Sequence, residues 1–544
     1  MTRGAFHVTR AGGGFLQRKV GRLSSWDARW AIRRSRGLVA VILFVAFGAW
    51  LRLAHLDAKV YWHDEAHTSL RIFGYPFKDL MRDTFTGEIL TVDALQRYQR
   101  PRADKGLGDT LALLAQRPEH GPVYYLLAHF WARWCERPQV GARAVSAVVS
   151  LLLMPLMYLL AWELFQDRRA AGLVAALVSV SPLHLLYAQE AREYALWAVV
   201  TAGSSLALLR AARTGTKRAW RRYTLTLVVG LYSHLLILAV VLGHGLYLVT
   251  SEPGRRRSLK PYALALAIAG IVFAPWASLL WIHSHAIHDV TGWMSRDLGL
   301  AGLARAWLQQ LGRLFFDFPS GGYWWLPSVA VLAAAGYTVR GSARSDAGRF
   351  VMTLVAVCAA VVILPDVVAG GRRSAEARYL MPVWLGLQLM VADAASRALR
   401  TPERTLRALA CGAVVVVVLG GVMSCLAISW SETWWTKGVS YFNPELARII
   451  NRGDRPLVVS SNGETNPGDV LSLSYLLEPK VRLILADYGH VPEIPAGFSD
   501  VFLFNPGWEI QAGLRARYRL EAVHSSGRLS RLVAQPAAEH GAPP

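Results

Sequence analysis

Only four cysteines occur in 544 residues: Cys135, Cys358, Cys411 and Cys425. No CxxC pair is present, and no His or Cys stands at metal-ligand spacing from them, so the chain encodes neither a thiolate metal site nor a dithiol redox motif. They read as small apolar residues and carry no information on the redox compartment. Acidic residues are also in short supply, 37 against 59 Lys plus Arg, for a formal net charge of +22. The excess is mostly arginine in short segments between apolar runs. That is the pattern of cytoplasmic loops, not of a basic patch on a soluble domain, and it excludes a nucleic-acid partner. No small-residue cleavage site follows the first apolar run, so that run is expected to be a retained span and not a signal peptide. The polar stretch SSNGETNPGD at 460–469 lacks phosphate-loop spacing, and there is no sustained internal repeat.

What is present is apolar sequence. Runs of roughly 17–25 residues recur between about 37 and 428, each long enough to cross a ~30 Å hydrocarbon layer. Without water, each must satisfy its own backbone, so each is expected to be a helix. The fold class is therefore an α-helical polytopic membrane protein. The basic segment 1–36 places the N-terminus in the cytoplasm. Alternating loop charges then give about eleven transmembrane helices: 37–54, 143–164, 170–187, 194–211, 223–233, 235–250, 261–282, 322–339, 350–367, 380–395 and 406–428. Residues 55–120 form a large first outer loop. The segment HGPVYYLLAHFWARW (120–134) is short for a span and rich in Tyr, Trp and His, which makes it an interfacial helix. The basic segment GGRRSAEAR (370–378) falls on the outside and breaks the charge rule.

After 428 the character changes. PLVVSS, KVRLILAD and SDVFLFNPGW are short apolar runs separated by helical or loop segments, which indicates a C-terminal, extracytoplasmic, small α/β domain. The expected organisation is a cytoplasmic segment 1–36, a transmembrane domain 37–428, an α/β domain 429–534 and a disordered tail 535–544.

The polar groups expected at the outer level come from segments far apart in sequence. YWHDEAHT (61–68) follows the first span and supplies His63, Asp64, Glu65 and His67. His120 opens the interfacial helix. Glu190, Arg192, Glu193 and Tyr194 share one turn, and His234 lies in another. Arg372, Arg373, Arg378 and Tyr379 precede the tenth span. Ionisable groups at membrane depth are costly and usually serve a pathway or a site. Carboxylates paired with arginines suit acid–base chemistry on a phosphorylated, lipid-borne substrate.

WHDEA, HGPVYYLLAHFW, RRAAGLVAALVSVSPLHLLYAQEAREYAL and RYLMP, in this order and spacing, resemble the bacterial members of the protein O-mannosyltransferase and aminoarabinose transferase group. These are C-type glycosyltransferases that use polyprenyl-phosphate sugars. The resemblance is strong over about 37–250, weaker over 251–428, and silent on the C-terminal domain. It implies a first outer loop with two interfacial helices and an acidic catalytic residue after the first span, here Asp64. It also implies an acidic residue near the active site in the turn that holds Glu190.

In such a reaction the acceptor loses a proton as it attacks the anomeric carbon, and a carboxylate within hydrogen-bond reach takes it; Asp64 is assigned that role, with Glu65 and Glu190 as further catalytic candidates. The leaving phosphate gains charge, which arginine's planar fork is shaped to meet. Arg192 and Arg378 are the first candidates, then Arg372 and Arg373, with Tyr379 as a further donor. Tyr194, His120 and His234 are expected in the substrate-binding wall. Displacement by one base inverts the anomeric configuration. The expected partners are a polyprenyl-phosphate sugar donor, membrane lipid, and a protein, lipid or glycan acceptor, at the outer face of the inner membrane.

Several alternatives stay open. Acids at helix N-termini also act as plain caps, which applies to Asp64 and Glu65. A divalent metal held by His63, Asp64 and Glu190 is compatible with the residue types but not diagnosed by their spacing. A lipid-linked-glycan flippase or a non-catalytic envelope-assembly scaffold would share the many spans. A transporter, however, is expected to show inverted repeats and charges near the midplane.

Overall fold

The computed structural model describes residues 25–318, 325–342, 345–463 and 465–534. The expectations for the first part of the basic N-terminal segment and for the tail 535–544 lie outside the described residues. A helix occupies each segment expected to span. Among the described residues, five helices are long and apolar enough to cross a membrane: Pro138–Phe165, Tyr194–Thr214, Gly254–Ile282, Asp346–Ala369 and Arg404–Ser440. The bent pair Arg168–Ser179 and Pro182–Ala188 makes six if counted as one span. The remaining expected spans coincide with shorter or more polar helices, such as Ile237–Thr250 with 14 residues and Lys217–Leu231, which opens on Lys217, Arg218, Arg221 and Arg222. The count of about eleven is therefore not reached on length and apolarity alone.

The bend of 55° between Arg168–Ser179 and Pro182–Ala188 has a local cause. Pro182 brings no N–H, so carbonyls at the end of the preceding helix lose their intrahelical partners. Arg52, buried at the end of the first helix (Ser25–Leu53), supplies them: its guanidinium donates to Ser179 O at 2.9 Å and Val178 O at 2.8 Å. The two helices approach closely because Gly48 faces Ser179, where a Cβ would sit 2.7 Å from the serine Cβ. The break lets the chain turn at 189–193 at the end of the bundle where the first helix also finishes.

The long connection after the first helix carries the helices His63–Ile72, Phe77–Thr84 and Leu107–Gln116. The aromatic segment expected at the interface is the helix Pro122–Arg133. Its 12 residues span about 18 Å, too short to cross.

Beyond the last long helix lies a six-stranded mixed sheet. Its strands are β1 (Ile89–Thr91), β2 (Pro456–Ser461), β3 (Arg482–Ala486), β4 (Asp500–Phe504), β5 (Tyr518–Ala522) and β6 (Leu529–Ala534), in the order β1-β3-β2-β4-β6-β5. β2 pairs parallel with both β3 and β4, and every residue of β2 is buried, as a central strand covered on both faces requires. The edge strand β1 comes from the connection after the first helix and pairs antiparallel with β3, Ile89 opposite Ile484. The sheet is thus not built from 429–534 alone. The helix Asn466–Ser474, between β2 and β3, packs on His63–Ile72.

Candidate active site

The helix His63–Ile72 follows the first long helix (Ser25–Leu53) after the connection 54–62, and Asp64 and Glu65 both stand in its first turn. Their environments separate them. Glu65 is fully buried and every contact is structural. Arg143 grips it with two bonds, Nε to Oε1 at 2.7 Å and Nη2 to Oε2 at 2.6 Å. Ala191 N donates to Oε1 at 2.8 Å, Trp62 N to Oε2 at 3.3 Å, and Lys437 Nζ to Oε2 at 3.2 Å. Burial pushes this carboxyl up, but Arg143 and then Lys437 outweigh it and hold it down at about 2. Glu65 therefore caps its helix and locks the 189–193 turn in place. The assignment of Glu65 as a reacting group is corrected to a positioning role, because its oxygens are occupied and out of solvent reach.

Asp64 keeps 23% of its side chain exposed. Its Oδ2 accepts from Arg378 Nη1 at 3.0 Å, and His63 Nε2 lies 4.0 Å from Oδ1. Burial raises its affinity for a proton, yet Arg192, Arg378 and the two histidines overcome this and hold it well below the usual carboxylate range. Arg378 also approaches Glu376 at 3.5 Å and lies over the rings of Tyr194, Trp293 and Tyr379 at 5.4–5.7 Å. The 370–380 segment is thereby tied to the first turn of the helix His63–Ile72, 314 residues away in sequence.

Arg192, buried, pairs with Glu193 at 3.4 Å and reaches Tyr194 Oη at 3.4 Å. Glu193 also faces His120 Nδ1 at 3.4 Å and accepts from Tyr125 Oη at 3.2 Å. His120 is thus joined to the Arg192 turn. Burial, then Arg71, push its imidazole below the usual range. His234 stacks on Trp197, with centroids 5.0 Å apart and planes at 15°, and borders Tyr194 and Tyr379. Burial lowers it to about 4, so it forms a neutral aromatic wall.

Glu190 lies on the protein side of this cluster. Its Oε2 faces Lys437 Nζ at 3.4 Å, and its Oε1 has no hydrogen-bond partner. Burial pushes the carboxyl up to about 7; Lys437 opposes the rise, and Glu65 and Asp64 add to it. The set His63, Asp64 and Glu190 is not assembled as metal ligands: among the described residues no three His, Cys, Asp or Glu side chains gather around one point.

The two remaining arginines part company with Arg378. Arg372 is more than a third exposed, 3.8 Å from Glu376 and over Trp293. Arg373 turns the other way and pairs with the buried Asp366 at 3.1 Å, a carboxylate that also accepts from Ser374 N and Oγ. The expectation that Arg373 joins the phosphate-facing group is corrected: it pins its loop to the helix Asp346–Ala369.

Sequence reasoning missed Arg143 and Lys437 and gave Glu193 no role. Arg143 had a signal, the one charge in the apolar run 138–162. Lys437 had none, since nothing in TWWTKG connects it to residues 65 and 190.

Residues 119–281 match the family model described as dolichyl-phosphate-mannose-protein mannosyltransferase, a stretch that includes His120, Glu190, Arg192 and His234 but ends short of Asp64 and Arg378. No curated protein matches the chain by sequence. Among solved structures, the chain is similar to ArnT from Cupriavidus metallidurans in the apo state, with TM-score 0.53, 14% identity, and coverage of 91% of this chain and 98% of that one. The same enzyme bound to undecaprenyl phosphate gives 0.52, 14%, 90% and 97%. The Archaeoglobus fulgidus oligosaccharyltransferase in complex with Zn and sulfate gives 0.50, 12%, 91% and 73%. The fold of this chain is the fold of these membrane enzymes, and its resemblance to the protein O-mannosyltransferase and aminoarabinose transferase group of C-type glycosyltransferases is borne out.

Proposed function

We propose that the chain is a membrane glycosyltransferase that moves a sugar from a polyprenyl-phosphate donor to a protein, lipid or glycan acceptor at the outer face of the membrane, with the N-terminus cytoplasmic. The similarity to ArnT, one structure of which holds undecaprenyl phosphate, supports a lipid-linked donor. The observation that carries the reading is the Asp64–Arg378 pair: the accessible carboxylate of the site lies against the cation best placed for a phosphate.

Asp64 takes the proton from the acceptor hydroxyl or amine. The new bond forms at the anomeric carbon while the bond from that carbon to the phosphate oxygen breaks. The electron pair leaves with the polyprenyl phosphate, the anomeric configuration inverts, and the proton passes from Asp64 to water. Arg378, with Arg192 behind it and Arg372 at the rim, offsets the charge that develops on the leaving group. Paired with arginine, Asp64 is a weak base. A donor phosphate that draws Arg378 toward itself weakens that pairing and raises the carboxylate's proton affinity when the acceptor is in place. Tyr379, Tyr194, His120 and His234 line the sugar side. The bundle 37–428 carries this chemistry and 429–534 serves the acceptor.

The test is envelope glycoconjugate mass spectrometry and a membrane transfer assay with Asp64→Asn. Loss of transfer by about 10²- to 10⁴-fold is expected for removal of a general base, with the protein still folded and inserted. Unchanged transfer removes Asp64 from the mechanism.

A further inference from the structure

The C-terminal sheet presents polar atoms that nothing in the reaction above uses. β2 connects to β3 on one side and β4 lies on the other, so the chain direction switches at the carboxyl end of β2. In open sheets with parallel central strands, ligands sit in the crevice at such a point. Here the crevice is lined by Asn462 and Asn466 after β2, Asp487 and Tyr488 after β3, and Trp508 and Glu509 after β4.

Two amide oxygens in this crevice are shielded from solvent and have no hydrogen-bond partner, Asn462 Oδ1 and Asn466 Oδ1, and Glu509, a side chain that Tyr488 also engages, brings Oε2 beside them. Asn466 is only 6% exposed; its Nδ2 is committed to Ser460 Oγ at 2.8 Å, to Ser461 O and to Asn505 O at 3.2 Å. Buried polar atoms are normally paired, so such a set calls for donors from elsewhere. Beside them stand two large rings in solvent, Tyr488 at 58% and Trp508 at 70% exposure. The walls converge: a Cβ built on Gly507 would lie 3.3 Å from Ser461 Oγ, 3.4 Å from Glu509 Oε2 and 3.8 Å from the Tyr488 ring.

The crevice is also wired to the reaction centre. Asn505, in the left-handed region at φ 41°, donates to the buried Asp469 at 2.8 Å. Asp469 accepts from Ser440 Oγ at 2.7 Å, and that oxygen accepts from His63 N at 3.1 Å. The first turn of Asn466–Ser474 abuts the histidines directly: a Cβ on Gly468 would fall 2.3 Å from His63 Nδ1 and 2.8 Å from His67 Nε2. A ligand in the crevice thus lies across one helical turn from the residues that flank Asp64.

We infer that this crevice is a carbohydrate-binding subsite for the acceptor, with Tyr488 and Trp508 as stacking surfaces and Asn462, Asn466 and Glu509 as acceptors for sugar hydroxyls. Unpartnered acceptor oxygens select a ligand rich in donors. Exposed rings beside them select one with an apolar face, and a pyranose ring has both. The acceptor of the transfer reaction is then a glycan or glycolipid, an inference that rests on the glycosyltransferase reading.

The test uses the full chain in detergent micelles and saturation-transfer difference NMR with mannohexaose, maltohexaose and chitopentaose, and a Ser/Thr-rich peptide as the competing class. At least one oligosaccharide should receive saturation on its ring protons. Trp508→Ala and Tyr488→Ala should each weaken that binding about five- to tenfold, the loss of one stacked ring, while Asp64→Asn should bind as the parent does. No saturation of any oligosaccharide, binding indifferent to both ring variants, or a peptide bound at Trp508 in their place overturns the inference. Loss of transfer in Asp64→Asn with oligosaccharide binding intact shows the two readings to be separable. Oligosaccharide binding with transfer unchanged in Asp64→Asn leaves the subsite standing and overturns the mechanism alone.

Discussion

Lys437 Nζ stands 3.4 Å from Glu190 Oε2, both side chains about 1% exposed. This contact joins the segment after the last long helix to the turn that follows the bent helix pair. The same ammonium reaches Glu65 at 3.2 Å, so one cation from the start of the C-terminal region offsets two buried carboxylates beneath Asp64.

Removing that cation should be costly. Lys437→Met leaves Glu65 and Glu190 facing each other with Arg143 alone to compensate. Breaking a buried pair in this way typically costs about 3–5 kcal/mol. Thermal unfolding in detergent should show a clear drop for Lys437→Met and a smaller one for Lys437→Met combined with Glu190→Gln, since the second change removes the stranded charge. Equal drops would mean that the pair is not coupled.

Arg143→Lys tests geometry apart from charge. Arg143 spends its fork on Glu65 and also donates to Leu56 O, Lys59 O and Val60 O at 2.7–2.8 Å. Lysine keeps the charge but cannot reproduce the fork. Transfer activity should fall roughly tenfold or more, as expected when a misplaced loop shifts a reacting group, while membrane insertion remains normal.

The pH dependence of stability should carry Glu190's signature. Burial raises its carboxyl in the folded protein to about 7, above the ordinary carboxylate range. The folded state therefore holds the proton more tightly than the unfolded state, and stability falls as pH rises from about the unfolded value to about 7, then levels off. Glu190→Gln removes this slope. Melting temperatures at about pH 5 and about pH 8 should differ less in the variant than in the parent.

The arginines of 370–378 should not behave alike. Arg378→Ala removes the partner of Asp64 and should cut kcat/KM for the lipid-linked donor by roughly 10²-fold. Arg373→Ala breaks only the Asp366 contact and should change it less than about threefold. Donor kinetics in membranes decide this, and equal losses would return Arg373 to the phosphate-facing group.

Part of this arrangement was legible in the chain itself. Apolar runs located the helices because lipid offers no alternative partner to the backbone. The shortness of 120–134 set it apart from a span. The charge-rule exception at 370–378 led to Arg378, and the acids of YWHDEAHT led to Asp64. The division of labour between Asp64 and Glu65 was not legible. Two adjacent acids in one helical turn look alike in sequence, and only the direction in which each side chain leaves the helix sends Glu65 to Arg143 and leaves Asp64 accessible. The same holds for Arg373 and Arg378, five residues apart but facing different helices.

The sequence by itself determined the class of molecule, the places of its helices and the segments that meet at one end of the bundle, because burial in lipid and helix periodicity act on local stretches. Tertiary structure alone decided which charges pair: Asp64 with Arg378 across 314 positions and Glu65 with Lys437 across 372. It also decided that a strand of the first loop, β1, completes the C-terminal sheet. Ion pairing and strand pairing depend on distance in space, and a local pattern holds no record of which distant partner the fold will bring within reach.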